Sequence, residues 1–309
     1  MPIAFTRTVG AAHRIVRGWV IGVLLVVGAL AVSGADPQVR ATALPAISGA
    51  RVGFTLMEPS VTGVTFTNLL VGDAYFTNAV AHNGSGVALG DVDGDGRTDL
   101  YLCGLNGTNQ LYRNRGQWRF EPMPLGEAAC VGQMSTGAVL VDVDGDGDLD
   151  LLVNGIAAGT RLFLNDGHGR WTEKRDSGLY RHTTGTSMAL ADMDGDGDLD
   201  AVITAAGGKP MLLRNDQALG HHFVRLKLVG TKSNRDAIGA WVKLTADGKS
   251  QWRQVMPAKS YLSASEPEVT FGLGKSTQVD ALEITWPSGK NQSVSPVAID
   301  RLITLQESP

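Results

Sequence analysis

Three copies of one nine-residue acidic loop constrain this chain more than any other feature. They read Asp91-Val-Asp-Gly-Asp-Gly-Arg-Thr-Asp99, Asp142-Val-Asp-Gly-Asp-Gly-Asp-Leu-Asp150 and Asp192-Met-Asp-Gly-Asp-Gly-Asp-Leu-Asp200, and their first residues stand 51 and 50 positions apart. Aspartates at loop positions 1, 3, 5 and 9 crowd like charge toward one point, which is tolerable only around a cation. A repeat of fixed period also decides the architecture, because each copy must be one supersecondary unit packed on its neighbours.

The donor set points to calcium, a hard ion that takes about 6–8 oxygens. The expected ligands are Asp91, Asp93, Asp95, Arg97 and Asp99 in the first loop, then Asp142, Asp144, Asp146, Asp148 and Asp150, then Asp192, Asp194, Asp196, Asp198 and Asp200. Position 7 (Arg97, Asp148, Asp198) would contribute its backbone carbonyl. The glycine at position 6 (Gly96, Gly147, Gly197) permits the sharp turn that folds the carboxylates inward. An EF-hand needs a glutamate at position 12 and a helix on each side. Position 12 is Leu102, Val153 and Ile203, and both flanks have the pattern of strands. Magnesium suits four crowding carboxylates poorly, and zinc lacks Cys and His ligands. The loops supply most of an ion shell themselves, so three structural calcium ions are expected.

Each loop lies between an apolar entering strand (Gly86-Val-Ala-Leu-Gly, Gly137-Ala-Val-Leu-Val, Ser187-Met-Ala-Leu-Ala) and a leaving strand (Leu100-Tyr-Leu-Cys, Leu151-Leu-Val-Asn, Ala201-Val-Ile-Thr). A third strand follows: Gln110-Leu-Tyr-Arg-Asn, Arg161-Leu-Phe-Leu-Asn, Met211-Leu-Leu-Arg-Asn. An aromatic-bearing fourth strand is expected at Trp118-Arg-Phe and Trp171-Thr-Glu. A four-stranded antiparallel meander of this length is a β-propeller blade. From about residue 221 the texture changes. His222-Phe-Val-Arg-Leu-Lys-Leu-Val, Ala240-Trp-Val-Lys-Leu-Thr, Gln251-Trp-Arg-Gln-Val and Ala281-Leu-Glu-Ile-Thr-Trp alternate apolar with polar around Asp247-Gly248 and Ser288-Gly289 turns, as in a β-sandwich. The 39 glycines and 6% aromatic content agree with an all-β chain. The expected layout is 1–35 targeting segment, 36–60 linker, 61–220 three blades and 221–309 the sandwich-like domain. Val61-Thr-Gly-Val-Thr-Phe-Thr reads as the first half-buried strand.

Charge follows the same division. Residues 36–220 hold 13 Lys and Arg against 23 Asp and Glu, or −10, and 14 of those acids belong to the loops. Three divalent ions would return +6 and leave −4. Residues 221–309 hold 11 basic and 8 acidic side chains, or +3. Acidity is thus confined to the loops, and no clustered basic stripe suggests nucleic acid. At the N-terminus, Arg7, Arg14 and Arg17 precede 14 apolar residues from Trp19 to Val32, then Ser33 and Ala35. The apolar run is shorter than the roughly 18–20 residues of a membrane span and matches a signal-peptide core. Cleaved or retained as an anchor, it exports the folded part to the periplasm, the cell surface or the medium, where a disulfide between Cys103 and Cys130 is one reading and two buried thiols the other.

The strand–loop–strand units resemble the FG-GAP/VCBS repeat over roughly residues 61–216. That resemblance implies a propeller with calcium in its hairpin loops and an extracellular binding or adhesion role. The tail resembles the ASPIC/UnbV domain through Ser233-Asn-Arg-Asp-Ala-Ile-Gly-Ala-Trp-Val, Ser260-Tyr-Leu-Ser, Val269-Thr-Phe-Gly-Leu-Gly and Ile284-Thr-Trp-Pro-Ser-Gly. This second resemblance implies no particular reaction. Propellers close with 4–8 blades, and three are written here, so an open arc with exposed strand edges is expected.

Catalytic constellations are weaker. Ser85 lacks the glycine two before it that a nucleophile elbow requires. His82, His182, His221 and His222 read as polar loop residues. Asp166-Gly-His-Gly-Arg-Trp171 reads as a hairpin turn with an aromatic anchor. Trp241, Trp252 and Trp286 would line a sugar groove, although alternation places at least two of them in a core. The resulting expectation is a non-enzymatic calcium-binding module. Its partner would be an extracellular protein or a surface polysaccharide. Membrane contact would come only through an uncleaved N-terminal segment, and open edges would allow self-association. The alternatives are a carbohydrate-directed or other hydrolase on a propeller scaffold, and a truncated family member without its own function.

Overall fold

The computed structural model describes residues 54–68, 85–105, 107–179, 184–205, 207–260 and 262–309. The targeting segment, most of the linker, His82 and His182 lie outside them. The described chain is all-β apart from two single turns, and among these residues no helix is long and apolar enough to cross a membrane.

Three antiparallel meanders follow the repeats in order. The first is β1 (Val87–Gly90), β2 (Asp99–Leu102), β3 (Gln110–Asn114) and β4 (Phe120–Met123), and the second is β5 (Met134–Val141), β6 (Asp150–Ile156), β7 (Gly159–Asn165) and β8 (Trp171–Glu173). The third is β9 (Gly185–Ala191), β10 (Asp200–Ala205) and β11 (Met211–Leu213). Register fixes each loop at a hairpin mouth: Gly90 pairs with Asp99, Val141 with Asp150, and Ala191 with Asp200. The residue before the loop therefore faces the last aspartate of the loop in every copy.

The second sheet is covered on both faces. Leu151, Val153 and Phe163 join Tyr101 and Leu111 of the first sheet in one core, whereas Val139, Leu152 and Leu162 join Met188 and Ile203 of the third sheet in another. Adjacent residues on a strand point to opposite faces, so Leu151 and Leu152 are both buried, in different cores. Full burial of each such side chain is worth about 2 kcal/mol.

Residues 222–306 form two further sheets. One orders β15 (Val269–Gly274), β12 (His222–Val229) and β18 (Leu302–Gln306), with β12 and β18 parallel; the other orders β14 (Lys249–Gln254), β13 (Trp241–Ala246), β16 (Ala281–Thr285) and β17 (Asn291–Val294). Both contribute to one core, including Leu226, Phe271, Val242, Ile284 and Trp286. Glu307 closes its end. Its Oε2 accepts from the backbone of Thr231, Lys232 and Ser233, and its Oε1 from the hydroxyls of Ser233 and Ser288. Burial would raise its pKa, but these donors prevail and hold it at about 2.

Several expectations change. The strand expected over 61–67 is absent. Pro59–Thr62 instead forms one helical turn ended by Gly63 at φ +77°. Proline suits a helix start and glycine a left-handed cap, and these local preferences outweigh four alternating residues. The third meander has three strands among the described residues rather than four. After β11 the chain runs through Arg214–Gly220 into β12, without the aromatic segment that forms β4 and β8. Trp118 is in the turn before β4, exposed and at φ +62°. Only Trp286 of the three C-terminal tryptophans is a core residue.

Cys103 and Cys130 are free, buried thiols in the core between the first two sheets. Burial drives the Cys103 pKa far up and that of Cys130 to about 11. Neither thiol should react with Ellman's reagent at pH 8 in the native protein, and two should react in denaturant. Rapid native labelling would contradict this packing.

Candidate metal centres

Each hairpin gathers three carboxylates whose oxygens lie within 4.8 Å of one another: Asp91, Asp93 and Asp99; Asp142, Asp144 and Asp146; Asp192, Asp194 and Asp200. Three of the four positions expected to converge do so in each loop. In the first, Asp95 turns to Arg97, accepting its N–H at 2.9 Å and its Nη1 at 2.8 Å. In the second, Asp146 completes the cluster where Asp99 and Asp200 do so in the other two. In the third, Asp196 accepts the N–H of Asp198 at 2.9 Å. Asp148 likewise donates its N–H to Asp146 at 2.9 Å.

The loops share a backbone frame. The position-1 aspartate accepts the N–H of the position-6 glycine at 2.8, 3.1 and 3.1 Å in the three copies. The position-9 aspartate bridges two strands. Its Oδ2 accepts the N–H of position 2 (Val92, Val143, Met193) at 3.1, 3.0 and 2.8 Å. Its Oδ1 accepts the N–H of the asparagine that closes the third strand or follows it (Asn114, Asn165, Asn215) at 2.8, 2.9 and 2.8 Å.

Those asparagines were missed as functional positions. Asn165 donates its amide to Val92 O of the preceding loop at 2.8 Å, and Asn215 to Val143 O at 2.9 Å. The three loops are thereby linked in series. The available signal was their constant spacing, 15 residues after position 9.

All three loops face the C-terminal sheets. The position-6 glycines have φ of +83°, +102° and +101°. A Cβ there would stand 3.1 Å from Trp252 Nε1, 2.7 Å from Gln251 Nε2 and 2.2 Å from the Phe223 ring, respectively. Glycine is thus required both for the turn and for the approach of the neighbouring sheets. Gly272 N donates to Asp142 Oδ2 at 3.0 Å, Gly274 N to Gly145 O at 2.8 Å, and His221 Nδ1 lies 2.7 Å from Asp144 O. His222 pairs with Asp300 at 2.9 Å, and Ser85 Oγ donates to Cys103 O at 2.5 Å. A cavity of about 100 Å³ at this junction is lined by Leu89, Leu140 and Leu190 of the three repeats and by Trp241, Trp252 and Lys259.

The residues fit a hard cation. Both oxygens of Asp93 are buried without a hydrogen-bond partner, with the Arg113 guanidinium against one of them. Burial raises the pKa of Asp99 and of Asp142 to about 7, and that of Asp150 well above the carboxylate range. In metal-free protein these groups bind protons more tightly folded than unfolded. Their stabilisation is therefore complete below about pH 4 and is lost as pH rises through 7. In EGTA, the urea midpoint should fall between pH 5 and pH 8, and saturating calcium should abolish or reverse that slope. A metal-free midpoint that rises over this range would contradict the burial argument.

Comparison with known families agrees with this geometry. The FG-GAP-like repeat matches residues 91–153 and 142–203, and the ASPIC and UnbV domain matches residues 230–309. The chain carries FG-GAP repeats followed by an ASPIC and UnbV domain. It is similar to cartilage acidic protein 1 of Homo sapiens, 30% identical over 243 residues, which is 71% of this chain and 36% of that protein. The Mus musculus protein is 30% identical over 229 residues (69% and 35%), and the Xenopus tropicalis protein 29% over 227 (68% and 35%). The chain spans about a third of the length of these relatives. FG-GAP repeats account for the three hairpins, and the ASPIC and UnbV match covers most of the sheets packed upon them.

Proposed function

We propose that this chain is an exported, non-catalytic binding module whose FG-GAP loops hold structural calcium. The first three sheets are consecutive meanders, as propeller blades are, and we read them as three blades of an open arc. The last two share one core, and one of them contains a parallel pair, so we read them as a β-sandwich rather than further blades. The observation that carries the calcium reading is the convergence of three carboxylates in every loop, with Asp93 Oδ1 buried and without a hydrogen-bond partner beside Asp91 and Asp99. Asp91, Asp93 and Asp99 in the first loop, Asp142, Asp144 and Asp146 in the second, and Asp192, Asp194 and Asp200 in the third would hold the ions. The ions would neutralise the carboxylates and lock each hairpin to its sheet.

The partner we favour is an extracellular protein or a surface polysaccharide, reached by the faces and edges that calcium keeps in place. Isothermal titration of the full chain with calcium tests the metal reading. Heat is expected with a stoichiometry near three, and its absence would end the proposal. A broad glycosidase and esterase screen tests the non-catalytic assignment, and reproducible turnover would replace it.

A further inference from the structure

The three loops differ in what neutralises them. In the first, the cation comes from the same sheet. Arg113 lies against Asp93 and places Nη2 3.5 Å from Asp95 Oδ2. The second sheet carries Leu164 at the corresponding position. Its first aspartate is served by neutral donors, Gly147 N at 3.1 Å and Gly272 N at 3.0 Å, with Arg253 Nη2 3.9 Å away.

In the third, Arg214 stands where the first sheet has Arg113, pairs with Asp216 at 2.6 Å and adds positive charge toward Asp194 and Asp196, while Asp192 itself is neutralised from the C-terminal sheets. Asp192 Oδ2 receives Arg225 Nη1 at 2.5 Å as well as Gly197 N at 3.1 Å, while its Oδ1 receives Gly195 N at 2.6 Å. Arg225 lies on β12 and is only 8% exposed. Its Nη2 sits on both oxygens of Glu266, at 2.7 and 2.6 Å. Glu266 belongs to the segment that clasps β9. Its N–H donates to Leu190 O at 3.3 Å, and Leu190 N donates to Ser265 Oγ at 3.1 Å. One guanidinium thus balances two carboxylates from opposite sides of this junction.

We propose that Arg225 and a divalent cation are alternative counter-ions of the third loop, so that filling this loop loosens the clasp between β9 and the C-terminal sheets. The inference rests on the calcium reading. An ion held by Asp192, Asp194 and Asp200 competes with the guanidinium for the charge of Asp192, and two positive centres sharing one carboxylate repel. Once the ion holds Asp192, Arg225 and Glu266 remain as a one-to-one pair, so the exchange strands neither charge. The second loop has no such competitor among its closest donors. Gly274 N donates to the backbone oxygen of Gly145 at 2.8 Å, a contact that involves no carboxylate, and Gly272 N meets Asp142 Oδ2 as a neutral donor that does not repel an ion, so that half of the junction stays closed. Calcium at the third loop therefore changes how one blade is clasped without separating the domain.

The test uses the full chain, calcium titration and hydrogen exchange. R225M removes the competing cation. The paired variant R225M/E266Q also removes the Glu266 charge that R225M leaves behind, so the only carboxylate left unpaired there is Asp192, which the ion itself would take. In the paired variant, one calcium-binding event should tighten by about fivefold or more, within the range of ordinary site-to-site coupling, and the others should not move. By reciprocity, calcium should speed amide exchange at Leu190 and Glu266 in the wild type and leave it unchanged in the paired variant. Unchanged or weaker calcium binding at every site of a folded paired variant would overturn the proposal, as would calcium-dependent slowing of exchange at Leu190 and Glu266 in the wild type. If neither protein takes up calcium, the calcium reading fails first and the exchange of counter-ions fails with it, a result distinct from calcium binding that ignores Arg225.

Discussion

Removing calcium with EGTA is expected to lower the melting temperature of the folded chain by on the order of 15–30 °C. A site held at a hundred times its dissociation constant stabilises the native state by about 2.7 kcal/mol. Three such sites approach about 8 kcal/mol, and about 1 kcal/mol moves a domain of this size by roughly 2–4 °C. The physical source is the set of three carboxylate groups, each with oxygens within 4.8 Å of one another. Asp99, Asp142 and Asp150 are also buried enough to resist ionising alone. Excess calcium should restore the transition. Magnesium should restore little of it, because it gives up water reluctantly and demands a tighter octahedron. Calorimetric scans in EGTA and in millimolar calcium decide the matter, and coincident transitions would rule out calcium as the element that locks the hairpins.

Asp150→Ala is expected to destabilise the metal-free protein by about 4 kcal/mol. Asp150 is fully buried and accepts from Val143 N at 3.0 Å and Asn165 N at 2.9 Å. Alanine strands both donors, at about 1–3 kcal/mol each. Asp150→Asn retains one acceptor and should cost about half as much. Asn165→Ala removes donors to Val92 O and Leu149 O and the acceptor for Gly169 N. Because Asp150 positions Asn165, the double variant should cost less than the two single changes together. Urea unfolding in EGTA separates these effects from metal loss. A cost below about 1 kcal/mol for Asp150→Ala would show that the bridge contributes little.

The comparison of Asp150 with Asp146 marks how far local pattern reached. The loops, their flanking strands, the glycines at position 6 and the change of texture near residue 221 were all legible, because each depends on neighbours within one hairpin or on strand alternation. Loop spacing identified which aspartates approach one another. It did not show which of positions 5 and 9 joins positions 1 and 3: position 9 does so in the first and third loops and position 5 in the second. The helical turn at Pro59–Thr62 was misread because four alternating residues are a weaker signal than a proline start and a glycine stop.

The hairpin carboxylates follow from period, register and turn chemistry, which a chain writes locally. The seat of Asn165 on Val92, 73 residues away, does not; nor does the reach of Arg225 to Asp192 or the fit of Gln251 and Phe223 against Gly147 and Gly197. These depend on how separate sheets pack and on which side chains that packing brings within about 3 Å. Hydrophobic burial drives the sheets together without specifying polar partners, so the clasp over the acidic loops emerges only in the assembled fold.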